Sequence, residues 1–176
     1  MFKAQGKLED ALANYKRALD IGEKTYGPDH PHVSTYLTSI GIVLIAQGKL
    51  EDALANFKRS LDIDEKTYGP DHPEVANDLS NVGSVLQTQG KLQAALATYK
   101  RALDIDEKTY GQDHPDVAIR LTNIGTVLQD QGKLEDALAN YKRALDIDEK
   151  TYGQDHPNVA SDLNNIRSVL QAQGKA

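Results

Sequence analysis

Pro73–Gly111 reads PEVANDLSNVGSVLQTQGKLQAALATYKRALDIDEKTYG, and this stretch decides the fold. Val75, Leu79, Val82, Gly83 and Leu86 recur at steps of three and four, the spacing that puts side chains on one face of a helix. Pro73 suits a first helical turn, where its missing N–H has no intrahelical acceptor, and Asp71 and His72 stand ahead of it as candidate N-caps. Gly90 ends this segment. A second stripe follows in Leu92, Ala95, Leu96, Tyr99, Ala102, Leu103 and Ile105, and closes on Lys108 and Gly111, which suit a helix C-terminus. The two helices should measure roughly 24 and 30 Å. Small residues (Gly83, Ala95, Ala102) alternate with large ones (Leu79, Leu86, Leu96, Tyr99), which predicts an interdigitated antiparallel helix pair. No segment alternates with period two, so no sheet is expected.

Outward from this stretch the pattern repeats at a constant step. QGK places glycines at Gly6, Gly48, Gly90, Gly132 and Gly174. DHP recurs at His30-Pro31, His72-Pro73, His114-Pro115 and His156-Pro157, and TYG and KR keep the same step. Residues 49–90 and 91–132 agree at about 29 of 42 positions without a gap. Such a period marks a solenoid whose units pack on their neighbours. The whole chain, 1–176, reads as one array: a second helix at about 7–26, full pairs at about 31–68, 73–110 and 115–152, and a lone first helix at about 157–173. Phe2 holds the register of Leu44, Leu86, Leu128 and Leu170, so the chain is expected to open at the end of a first helix. Neither end carries a polar capping helix, which reads as a piece of a longer array or as a protein that tolerates open ends.

Leu79, Val82, Gly83, Leu86, Ala95, Tyr99 and Ala102 resemble the tetratricopeptide repeat, lengthened beyond its usual unit by a longer second helix and loop. With LDIDEKTYGPDHPEVA, the unit is most similar to the repeats of kinesin light chain and of nephrocystin-3-like arrays. The resemblance covers essentially the whole chain. It implies an all-α, right-handed α-solenoid of antiparallel helix pairs (a TPR superhelix) and a non-enzymatic scaffold for protein–protein interaction.

Composition narrows the function. Cysteine is absent, which excludes disulfides, thiolate metal sites and Cys nucleophiles. The formal net charge of −6 disfavours nucleic acid, whose phosphates need a Lys/Arg surplus. No apolar run is long enough to span a bilayer and no signal-type segment opens the chain, so a cytoplasmic setting is the expectation. No cofactor is implied.

The family resemblance implies that the first helices line a concave groove for peptide segments. Carried over position by position, the groove is expected to present Thr35, Thr38, Ile42 and Ile45, then Asn77, Ser80, Asn81, Ser84 and Gln87. Further along it presents Ile119, Thr122, Asn123, Thr126 and Gln129, then Asn164 and Asn165. Asn81, Asn123 and Asn165 sit where related repeats hold peptide backbone; an amide both donates and accepts, so it can grip a peptide unit of any sequence. The other reading is a merely solvated polar face. Residues 31–47 depart from their siblings: Tyr36 replaces Asp78, and Ile42 and Ile45 replace Ser84 and Gln87. Two readings stand, an apolar anchor for a ligand or packing of Tyr36 and its neighbours on the N-terminal helix. The first helices carry almost no Lys or Arg, Arg120 and Arg167 excepted, so neither a carboxylate clamp nor an acidic peptide is expected. A neutral or mildly basic, partly apolar peptide fits better.

The four recurring histidines are too far apart to share a metal and read as loop and cap residues. DIDEK (Asp104, Asp106, Glu107, Lys108 and equivalents) reads as a solvated face with local ion pairs. Tyr15, Phe57, Tyr99 and Tyr141 read as core aromatics, and Tyr26, Tyr68, Tyr110 and Tyr152 as covers for the loop. Nothing singular resembles a catalytic constellation. The competing class is a structural solenoid that self-associates head-to-tail through its open ends, the final helix stacking on helix 7–26 of another copy. Arg167, where siblings have Gly41, Gly83 and Gly125, argues against that contact.

Overall fold

The computed structural model describes the backbone of residues 2–174 and the side chains of residues 6–174. Among the described residues the eight helices are α1 (Phe2–Tyr26), α2 (Pro31–Ala46), α3 (Leu50–Tyr68), α4 (Pro73–Thr88), α5 (Leu92–Tyr110), α6 (Pro115–Asp130), α7 (Leu134–Tyr152) and α8 (Pro157–Ala172). No strand occurs among the described residues. The chain forms two compact units, Met1–Gly90 and Lys91–Ala176. In the first, α1 packs on α2, α2 on α3 and α3 on α4; in the second, α5 packs on α6, α6 on α7 and α7 on α8. Consecutive helix pairs stacked in this way are the all-α solenoid architecture expected from the period.

The helix ends follow from local chemistry. His30, His72, His114 and His156 are extended N-caps, each followed by proline at the first helical position. In each the ring Nδ1 accepts the backbone N–H two residues on, at 3.2 Å, which satisfies one of the orphan donors of the first turn. The same rings stack on Tyr26, Tyr68, Tyr110 and Tyr152, with centroids 4.3–4.8 Å apart. The histidines and loop tyrosines thus serve as the sequence suggested. At the far end of α3, Gly69 turns the chain at φ 90°, where a Cβ would be strained.

Buried cores lie between the helices of each unit. Val33, Leu37 and Ile63 cluster with Leu19 in the first; Val117, Ala118, Leu121, Ala144 and Ile147 cluster with Leu103 in the second. The small positions admit rings: a Cβ on Gly41 would lie 2.5 Å from the Phe57 ring, and one on Gly125 would lie 2.7 Å from Tyr141. Alanine at either position would force a buried ring out of place.

Two expectations are corrected. The helix expected from Lys7 begins at Phe2 and runs through Gly6 without the positive-φ turn seen at Gly48. Tyr15, expected in the core, is 39% exposed, because no described helix precedes α1 to cover its ring. The register reading at Phe2 concerns a side chain outside the described ones.

Candidate functional site

The first helix of each pair buries its apolar stripe and turns the opposite face outward. On α2, Thr35 and Ile42 are exposed and Thr38 and Ile45 half-buried; on α4, Asn77 and Ser84 are exposed and Ser80, Asn81 and Gln87 half-buried. On α6, Ile119 is exposed, with Thr122, Asn123, Thr126 and Gln129 half-buried. On α8, Asn164 is exposed and Asn165 half-buried. None of these candidates lies in the core. Ile42 and Ile119 are large apolar side chains left 56% and 50% exposed. Tyr36, by contrast, packs on the N-terminal helix: its ring fills the space beside Gly22, where a Cβ would come within 2.8 Å.

Several candidates spend their polar groups internally. Thr38 Oγ1 lies 2.8 Å from Ser60 Oγ, and Ser80 donates to the Ala76 carbonyl. The Tyr141 hydroxyl lies 3.1 Å from Thr126 Oγ1 and 3.2 Å from Gln129 Oε1. Gln129 Nε2 also donates to Ser168 Oγ at 3.0 Å, tying α6 to α8. The structure gathers Ile119, Thr122 and Asn123 around one cleft of about 250 Å³, completed by Ala118, Asp148, Asn158, Ser161 and Asp162. A larger cleft of about 540 Å³ between α5, α6 and α7 (Ile124, Leu128, Asn140) has a counterpart two repeats earlier (Ile40, Leu44, Asn56), which marks it as a recurring seam.

The reading of DIDEK as a solvated face fails for its second aspartate. Asp64, Asp106 and Asp148 are buried. The missed signal is spacing: Ala95, Tyr99, Ala102 and Asp106 continue one helical stripe at steps of four, three and four. Each such residue faces the position fourteen ahead on the next first helix. The occupants differ from step to step: Gly22 with Tyr36, Asp64 with Asp78, Asp106 with Arg120, and Asp148 with Asp162.

Asp64 and Asp78 lie close enough to act on each other's charge, and each accepts from a serine hydroxyl. Ser34 donates to Asp64 Oδ2 at 2.8 Å, and Ser60 Oγ lies 3.0 Å from Asp78 Oδ1 and 2.8 Å from Ser34 Oγ. Burial first, and then the Asp64 charge, push the Asp78 carboxyl up to about 8, so one proton is held by the pair at neutral pH. Arg120 Nε meets Asp106 Oδ2 at 2.7 Å, both side chains buried; this arginine is therefore unavailable to a clamp. Asp148 and Asp162 are 6% and 4% exposed. Burial and the Asp148 charge raise Asp162 to about 6, with Thr122 opposing from 3.5 Å. Burial also raises Asp148, opposed by a hydrogen bond from Asn158 and by His156.

Among the described residues, no three His, Asp or Glu side chains converge as metal ligands, and no helix is long and apolar enough to cross a membrane.

No curated protein sequence gives a significant match. Solved structures do. The chain superposes on BtubC (BKLC) of P. vanneervenii with a TM-score of 0.86 at 20% identity, covering 98% of this chain and 69% of that one. It superposes on a Podosopora anserina protein described as a putative kinesin light chain with nearly identical TPR-like repeats, at TM-score 0.82 and 20% identity, covering 99% of this chain and 82% of that one. A point variant of the latter gives 0.84 at 19% identity, with the same coverage. The tetratricopeptide repeat family matches over residues 1–66, 35–108, 76–150 and 116–176. The chain thus belongs to the tetratricopeptide repeat family, whose repeats generally mediate protein–protein interaction and are generally non-enzymatic.

Proposed function

We propose that this chain is a scaffold that binds peptide segments of a partner along the outward faces of its first helices. The observation that carries this reading is the exposure of Ile42 and Ile119, two large apolar side chains set among amides and hydroxyls. Ile119 borders a cleft with Ala118 and Asn123, where an apolar side chain of a ligand could anchor, and such amides offer matched donors and acceptors for peptide backbone. The scarcity of accessible cations on these helices favours a neutral or mildly basic, partly apolar ligand over an acidic one. Peptide-display selection against the full chain, with Ile42→Ser/Ile119→Ser in parallel, tests it. An enriched motif should lose on the order of 1–3 kcal/mol of affinity on the double variant; equal affinity for the folded variant would sink the reading. Ile45 is better left intact, since it is half-buried and its loss would cost packing.

Head-to-tail self-association is the second reading. Leu163 on α8, 49% exposed, favours it. Arg167 opposes it, because its side chain stands where Gly41 and Gly125 admit a ring. A monomer by light scattering at high concentration would remove it.

A further inference from the structure

We propose that the cleft between α6, α7 and α8 takes a basic side chain, arginine or lysine, of the bound segment, held by Asp148 and Asp162. The inference rests on the peptide-binding reading and gives it a chemical preference. Asp148 Oδ1 and Asp162 Oδ2 are fully buried atoms with no hydrogen-bond partner, as are Asp64 Oδ1 and Asp78 Oδ2 two repeats earlier, but Asp148 and Asp162 also line the cleft. Asn158 and Thr122 each serve one carboxylate, which leaves one buried oxygen per acid without a donor, a costly arrangement. Such a pair therefore favours whatever cation can reach it.

The molecule itself contains the occupied form of this site. One repeat earlier, Asp106 stands at the position of Asp148 and Arg120 at that of Asp162, and the guanidinium lies 2.7 Å from the carboxylate. The backbone at these two positions thus accommodates an arginine against an aspartate. Where Arg120 becomes Asp162, the guanidinium is lost and a second carboxylate takes its place. Two repeats earlier, the pair Asp64–Asp78 has the same two acids, but Ser34 and Ser60 supply hydroxyls. Their counterparts are Ala118 and Ala144, which have none to offer. The remaining walls suit a basic side chain: Asn123, Asn158 and Ser161 add polar groups, and exposed Ile119 adds apolar surface for the alkyl stem. The charged groups acting on the pair are the two carboxylates themselves and His156.

The test is an NMR titration of the ¹⁵N-labelled chain with N-acetyl-arginine methylamide. The uncharged isostere N-acetyl-citrulline methylamide is the control. Saturable shifts of the Thr122, Asn123, Asn158 and Ser161 amides are expected with the arginine compound and at least about tenfold weaker binding with the citrulline one, a charge-assisted difference. Asp162→Arg, which rebuilds the Asp106–Arg120 pair at this site, should abolish the response while helicity is retained. Asp162→Asn should weaken it if the arginine variant fails to fold. Asp64→Asn should leave it unchanged. Equal response to both compounds, or an undiminished arginine response in Asp162→Asn or Asp162→Arg, overturns the proposal. Selected peptides that lack Arg and Lys remove this inference but not the groove; an arginine response without any selected peptide removes the groove alone.

Discussion

The Asp64–Asp78 pair and the Asp148–Asp162 pair occupy the same place in the repeat, two units apart, yet they behave as different objects. Around the first, Ser34 and Ser60 each reach one carboxylate, and Thr38 joins Ser60. Around the second, alanines replace both serines and Thr122 is left at 3.5 Å, beside an open cleft. Each pair keeps two carboxylate oxygens without a partner; what separates them is two serine hydroxyls around the first and a cleft beside the second. The Asp106–Arg120 step shows the third solution, a built-in cation. A repeat that looks uniform along its sequence thus varies at its buried polar joints.

The largest effect should come from breaking the ionic joint. Arg120→Ala leaves Asp106 buried and unpaired and should cost about 3–5 kcal/mol in urea denaturation; a loss under about 1 kcal/mol would mean that water reaches Asp106. Next, Ser34→Ala/Ser60→Ala makes the first pair resemble the second and should cost about 1–3 kcal/mol. The reverse change, Ala118→Ser/Ala144→Ser, should blunt the arginine response by giving the carboxylates donors of their own.

A third prediction separates the pairs by pH. Both acids are raised in the folded state, so the folded chain holds protons that the unfolded chain releases. Their contribution to stability is therefore greatest at low pH and falls as pH rises towards the folded value. For Asp162 the fall ends near 6, and for Asp78 it continues to about 8. From pH 7 to 8 Asp78 should account for a loss of about 1 kcal/mol and Asp162 for almost none. Asp78→Asn should flatten that interval, and Asp162→Asn should not; the same slope in both variants would show that the pairs titrate alike. The smallest effect serves as a control on the comparison. His72→Ala and His114→Ala each remove one N-cap and should cost a similar amount, under about 1 kcal/mol, because that joint is the same in both units.

Much of this molecule was legible in the sequence because its helices are punctuated by residues whose backbone chemistry is local. Pro73, Gly90 and Gly111 mark ends that need no knowledge of tertiary contacts, and the Gly41–Phe57 approach follows from a small position facing an aromatic one. The candidates on α2, α4, α6 and α8 are all accessible at least in part, as positions off the apolar stripe must be. The buried acids were not legible. DIDEK is so hydrophilic that its composition masks Asp106 on the same stripe as Tyr99 and Ala102. Nor does any local rule pair Asp148 with Asp162, which meet only because one helix packs against the next across a proline-led turn. Sequence also could not tell that Thr126 and Gln129 hold the Tyr141 hydroxyl rather than face solvent freely.

The most direct test of the account is a peptide-display selection against the full chain, with Ile42→Ser/Ile119→Ser and Asp162→Arg carried in parallel. The account predicts an enriched motif with an apolar residue and an Arg or Lys. The apolar preference should fade on the isoleucine variant and the basic preference on Asp162→Arg. No enriched motif on the intact chain, or one retained equally by both folded variants, would contradict it.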